Sequence, residues 1–167
     1  MNTYGYVKQN PLSLFDALGL RSPYLYSDIR AIVHQSNLSG FDDNLIVCVI
    51  WTESTFDPFA QNGDAVGLMQ VTPIAIVDLQ RLARRAPRRF TRDDVVVDPL
   101  LNVQAGTQHL KNIYDLYVHR DLEAALRRFG EGSQYPVAKI FDCEKCLNEM
   151  STKCKDNPET CLEKIHK

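Results

Sequence analysis

The 167-residue chain is 44% apolar, carries a formal charge of −2 and has a pI near 6.1. That is enough apolar material for the core of one domain, and too little net charge to gather nucleic acid or an anionic membrane surface. No run approaches the roughly 18 uninterrupted apolar residues of a membrane-spanning helix, and the opening MNTYGYVKQNP lacks the basic start and apolar stretch of a signal peptide.

Residues 1–22 bear Tyr, Asn, Pro and Gly without a helical period. SPYLYSDIRAIVHQSN then spaces Leu25, Ile29, Ile32 and Val33 by three and four, which predicts a helix with Ser22 or Ser27 as its cap. The next run, LIVCVIW at 45–51, is apolar throughout. Its Ile, Val and Trp favour a strand by local propensity. Asp42 or Asp43 just before it suits a helix N-cap, and a helix buried on every side gives the same pattern. Both readings stay open.

Glu53 stands at the edge of this run, before a loop of turn residues, STFDPFAQNGD. Most glutamates are solvated. A carboxyl set against Ile50, Trp51 and Phe56 is instead desolvated, which raises its pKa and keeps a proton available near neutral pH. A general acid in glycoside cleavage needs that property.

TPIAIVDLQRLARR, 72–85, predicts a helix capped by Thr72 with Pro73 in its first turn. It runs into six arginines between 81 and 92 around Pro87. A solvated helix face is the commonest origin of such a cluster, an acidic partner another. Nucleic acid is disfavoured, since Phe90 alone interleaves and the chain is mildly acidic. DPLLNVQAGTQHLKNIYDLYV, 98–118, repeats the cap-proline start and spaces Leu101, Ala105, Leu110, Ile113 and Tyr117 as a helix does. DLEAALRRFG ends on Gly130, suited to a helix C-cap. No series of alternating strands occurs, so the class is mostly α.

The polar tail from 142 holds four of the five cysteines, Cys143, Cys146, Cys154 and Cys161. Two disulfides stapling a helical hairpin are one reading; unpaired thiols are another. Zinc is a weak third, because the second half of the cluster is C-x6-C. Cys48, inside the apolar run, reads as a small buried hydrophobe. No cofactor and no metal are expected.

ESTFDPFAQNGDAVGLMQVTP resembles the active-site motif of the soluble-type, lysozyme-like lytic transglycosylases. The matching positions are Glu53, Ser54, Phe56, Pro58, Ala60, Ala65, Gly67, Leu68, Met69 and Gln70, ten in a span of eighteen. DPLLNVQAGTQHL is similar to that family's second block through Asp98, Pro99, Asn102, Ala105, Gly106 and Leu110. The resemblance implies a lysozyme-like helical domain over 23–141, followed by the Cys-rich helical tail at 142–167. It also implies cleavage of peptidoglycan strands between N-acetylmuramic acid and N-acetylglucosamine. Glu53 would act as acid and then as base, leaving a 1,6-anhydro sugar.

Around Glu53 the resemblance implies a cleft. Ser54 would hold Glu53 or touch the sugar, or else cap its own helix end. Gly67 would let backbone approach the glycan, and Leu68, Met69 and Gln70 would line the wall. The arginines could meet carboxylates of the stem peptides. Asp57 and Asp64, both in turn sequences, are the nearest acids that could activate water and make the enzyme a hydrolytic muramidase. The family's third block, Ala-Tyr-Asn, appears here as ALRRFGEG, with Phe129 for the tyrosine and Gly130 for the asparagine. Phe129 keeps an aromatic wall without the hydroxyl that supports the acid, and Tyr135 is the candidate substitute. A non-catalytic peptidoglycan-binding module would show the same loss.

YGYVKQNPLSLFDALGL, 4–20, resembles the end of the core repeat of Rhs-type polymorphic toxins through Tyr4, Tyr6, Asn10, Pro11, Asp16, Gly19 and Leu20. Ala17 stands where that motif has proline. The resemblance implies that 1–22 is a remnant of the toxin shell, cut near Arg21 to release the domain that follows. It further implies a secretion apparatus such as type VI in place of a signal peptide, antibacterial action in the periplasm of a target cell, and a cognate immunity protein. No membrane insertion is expected.

Overall fold

The computed structural model describes residues 24–82, 90–153 and 158–165. The segment 1–22, the arginines at 84, 85, 88 and 89, and Cys154 lie outside the described residues.

Helix α1, Tyr26–Ser36, buries Ile29, Ile32 and Val33. Ser27 sits inside it and does not cap it; the Leu25 N–H at its start donates to Asp28 Oδ2 at 3.2 Å. Helix α2, Asp43–Ser54, settles the ambiguous run. Asp42 Oδ1 accepts from Asn44 N at 2.7 Å, and every residue from Leu45 to Ile50 is fully buried. Burial contributes roughly 1.5–3 kcal/mol per large apolar side chain, more than the ~1 kcal/mol spread of strand propensity. A helix enclosed between α1 on one side and the long C-terminal helix on the other therefore wins.

A hairpin of two short strands, β1 (Gln61–Asn62) and β2 (Ala65–Val66), follows α2. Thr72 Oγ1 then caps α3, Pro73–Arg81, by accepting from Ala75 N at 3.2 Å. Helix α4, Arg92–Val97, opens on a reciprocal box between Thr91 and Asp94. The pattern Thr-x-x-Asp signals it, although the arginine-rich surroundings draw a sequence reading elsewhere. Asp98 Oδ1 starts α5, Pro99–Leu116, by accepting from Leu100 N and Leu101 N. Helix α5 is the hub, packed by α1, α3, α4 and α6 (Leu122–Phe129). Thr107 inside it accepts from Leu38 N at 3.0 Å, which fixes the end of α1.

Helix α7, Val137–Lys153, lies along α2 and runs unbroken through 141 and 142, where the composition turns polar. A short α8, Glu159–Leu162, and a 3-10 turn, Glu163–Ile165, fold back along it. Two disulfides tie these pieces together. Cys146 and Cys161 join α7 to α8 within the tail. Cys143 pairs outside the tail, with Cys48 of α2, at a Cα separation of 6.1 Å. Cys48 is buried, as the apolar run predicts, but it is a cross-link and not a lone hydrophobe. The two bonds close loops of 95 and 15 residues, and such cross-links typically stabilise by about 2–4 kcal/mol each.

Candidate active site

Glu53 is the penultimate residue of α2. The helix ends because Thr55 and Phe56 both take positive φ, 50° and 67°, and the Thr55 N–H closes the last turn on Trp51 O. Phe56 is buried and meets Trp51 edge-on with ring centroids 4.8 Å apart. Glu53 is thereby set on the rim of the core. The Ser54 hydroxyl does not reach Glu53: it is buried and donates back to Ile50 O at 3.1 Å. Of the two roles open for Ser54, the structure gives the local backbone one.

The loop Gly67–Gln70 is held by the second sequence block. Val66 and Val71 bridge its ends. Asn102, buried in α5, donates to Val66 O at 2.9 Å and to Val95 O at 3.0 Å, and accepts from Met69 N at 2.9 Å. Gly67 has φ +75°, and a Cβ there would run into the Asn102 amide; a Cβ on Gly106 would run into Met69. The close approach that Gly67 permits within the fold is thus to Asn102. Leu68 is fully buried in the core and supports the loop from behind, away from the cleft surface. Gln70, at φ 45°, spends its amide nitrogen on Ala60 O and Gly67 O while its side chain still lines the cleft. Met69 lines an adjoining cavity.

Opposite this loop stands the end of α6. Phe129 lines the cleft as an aromatic wall. Gly130 ends the helix at φ −84°, and a Cβ on it would collide with the Tyr135 ring. A glycine at 130 therefore lets the Tyr135 ring lie flat against the backbone. From there the Tyr135 hydroxyl donates to Glu53 Oε1 at 2.6 Å. The hydroxyl missing at Phe129 is supplied from six residues further on.

The cleft, ≈ 540 Å³, is bounded by Glu53, Thr52, Asp64, Gln70, Phe129 and Glu131, among others. Burial pushes the Glu53 carboxyl up to about 7; the Tyr135 hydrogen bond opposes that rise, and the nearby Glu131 charge adds to it. A recess on the other side of the carboxyl is formed by Thr52, Gln134, Tyr135, Pro136 and Ile165. Trp51, expected beside the carboxyl, packs edge-on against Phe56. Burial also raises the Tyr135 phenol, with the Glu53 charge adding to it, so it remains a donor. Asp57 Oδ1 accepts from Phe59 N at 2.8 Å in a turn, whereas Asp64 lines the cleft from the hairpin. Among the described residues no group of three or more His, Cys, Asp or Glu is placed to hold a metal.

Two groups escape a sequence reading. Glu131, in the left-handed region at φ 59° between Gly130 and Gly132, lies on the rim of both the cleft and the adjoining ≈ 160 Å³ cavity. The run Gly-Glu-Gly beside Phe129 is its signal. His109 lines that cavity beside Met69 and is kept neutral by burial; one histidine on a core helix carries no signal.

The protein-family model described as the transglycosylase SLT domain matches residues 31–127. Membrane-bound lytic murein transglycosylase C of Haemophilus influenzae (strain PittEE) is 32% identical over 113 residues, covering 64% of this chain and 31% of the relative. The proteins of the same name from Yersinia enterocolitica and Glaesserella parasuis are 31% and 30% identical, over 64% and 65% of this chain. The chain spans about a third of the length of these curated relatives, 31% in each case. Tyr135 and the tail fall beyond the residues 31–127 that the family model matches. Among the described residues no helix is long and apolar enough to cross a membrane.

Proposed function

The chain belongs to the transglycosylase SLT domain family, and on that premise we propose that it cuts peptidoglycan by lytic transglycosylation with Glu53 as its catalytic acid and base. The observation that carries this reading is the Tyr135–Glu53 contact at 2.6 Å around a carboxyl raised to about 7. Such a carboxyl holds its proton near neutral pH and is oriented to deliver it.

A glycan strand lies in the cleft with the oxygen between N-acetylmuramic acid and N-acetylglucosamine at Glu53. Glu53 gives its proton to that oxygen as the C1–O bond breaks. The substrate's own acetamido group and the surrounding dipoles steady the positive charge at C1. The Glu53 carboxylate then takes the proton of the C6 hydroxyl, whose oxygen bonds to C1 and closes the 1,6-anhydro ring. The acid is restored, and no second carboxylate has been used. Tyr135 holds Oε1 in place in both half-steps. Gln70 and Phe129 form the walls.

The same cleft supports a second reading, a hydrolytic muramidase, because Asp64 and Glu131 share it with Glu53. Product mass separates the two: hydrolysis adds one water and leaves a reducing end. Purified sacculi treated with the protein should release anhydromuropeptides, and Glu53→Gln should abolish that release. Release undiminished in Glu53→Gln removes the assignment. Binding of sacculi with no soluble product from the wild type identifies a non-catalytic module instead.

We infer that 1–22 is the remnant of an Rhs shell and that residues from 23 are its antibacterial cargo, carried by a secretion apparatus to the periplasm of a target cell and neutralised in the producer by an immunity protein. The support is the 4–20 resemblance. Expression with export to the periplasm should lyse cells, and cytoplasmic expression should not.

A further inference from the structure

Cys48 lies five residues before Glu53 on α2, and α7 begins two residues after Tyr135. The Cys48–Cys143 bond therefore spans the two elements whose ends bring Glu53 and Tyr135 together. Cys146 lies one helical turn beyond Cys143, and its bond to Cys161 draws in the 3-10 turn Glu163–Ile165. Ile165 in that turn is 4% exposed and shares the recess of Thr52, Glu53 and Tyr135. Its carbonyl accepts from Lys139 Nζ of α7 at 3.2 Å. Helix α8 has four residues, too few to stand alone in water, so the disulfide and the burial of Leu162 and Ile165 hold it down.

We propose that the two disulfides form a redox-operated clamp: while both are closed they press α7 and the terminal 3-10 turn against the end of α2, and Glu53 is housed as a proton donor only in that state. The proposal rests on the reading of Glu53 as the catalytic acid. A dithiol opens the clamp. Each S–S bond takes up two electrons and two protons to become two thiols, and the dithiol closes to its own disulfide.

Opening lets water into the recess and removes the burial that chiefly holds Glu53 high. Tyr135 and Glu131 face Glu53 and Asp64 lies across the cleft, while a cation, Lys139 of α7, has its Nζ on the Ile165 carbonyl at the recess. Loss of the Tyr135 hydrogen bond alone would move the carboxyl upward, but burial is the larger influence and sets the direction. Glu53 falls toward its ordinary range and is ionised at neutral pH.

The test uses the full chain with glutamate carboxyls labelled in carbon-13, the Glu53 resonance being assigned by its absence in Glu53→Gln. In the oxidised chain Glu53 should titrate near 7, and after dithiothreitol its midpoint should lie lower by at least about one on the pH scale, with helical circular dichroism retained. Ile165→Ala with both disulfides intact should move Glu53 in the same direction by a smaller amount. Glu53 still titrating near its oxidised value after full reduction overturns the clamp. So does melting of the helices on reduction, or an Ile165→Ala chain that titrates like the wild type. On sacculi, a midpoint lowered from about 7 by one on the pH scale should slow release about fivefold at pH 7 and change it little at pH 5; equal loss at both pH values also overturns the clamp. Failure of the oxidised chain to cut sacculi, with the Glu53 midpoint still falling on reduction, removes the enzymatic reading and leaves the clamp standing.

Discussion

The Tyr135 hydroxyl and Glu53 Oε1 meet at 2.6 Å although 82 residues separate them along the chain. The donor comes from the turn after α6 and the acceptor from the end of α2, so the contact exists only when α2, α6 and α7 are assembled. Gly130 makes room for the ring that bridges them.

Tyr135→Phe removes that donor and keeps the ring. A hydrogen bond to a charged group is worth about 1.5–3 kcal/mol, so kcat should fall roughly 10- to 100-fold with little change in KM. The bond favours the ionised form of Glu53, so its loss should move the alkaline limb of the rate profile upward. Muropeptide release measured across pH reads both effects.

Glu131→Gln acts in the opposite sense. The Glu131 charge helps to hold the Glu53 proton in place. Without it the alkaline limb should move down, and activity at pH 7 should drop more than activity at pH 5. An unchanged profile would separate Glu131 from the acid.

Stability should depend on pH through Glu53. Its folded pKa of about 7 lies above the ordinary 4.5, so its stabilising contribution is fully present below 4.5 and is lost as pH rises through 7. The loss amounts to about 3 kcal/mol, at roughly 1.36 kcal/mol for each tenfold change in proton affinity. Urea denaturation should show the wild type weakening from pH 4.5 to pH 8 by more than Glu53→Gln does. Parallel curves would mean that the carboxyl is not held high.

Asn102→Ala should destabilise the fold by roughly 2–4 kcal/mol, because it leaves Val95 O and Met69 N without their buried partner and takes one of its two donors from Val66 O. Gly67→Ala should cost a similar amount through its positive φ and its collision with Asn102. Since both act on one contact, the double variant should lose less than the sum. Chemical denaturation of the four chains checks this.

Local chemistry carried the sequence reading where it succeeded. Asp42, Thr72 and Asp98 announce helix starts because a cap needs only its own next three residues. Glu53 stands out because the apolar run beside it is continuous. The fold's long-range facts leave no local trace. Cys48 pairs 95 residues away, and nothing in LIVCVIW distinguishes a bonded cysteine from a buried one. Asn102 and Gly106 match a motif, yet their work is to receive Met69 and Gly67 from another element. Leu68 and Ser54 share the motif with Glu53 but face inward, since neighbours on one turn point in different directions. Replacing Tyr-Asn by Phe129-Gly130 looks like a loss in one dimension and is a relocation in three.

The 95-residue loop closed by Cys48 and Cys143 also limits how the molecule can travel. A cross-linked chain cannot pass single file through a narrow channel, because at the knot of the loop two strands must enter abreast. Transport as an extended thread must therefore come before oxidation, and transport after oxidation requires a conduit wide enough for the folded domain. The order of bond formation and passage is written into the covalent topology.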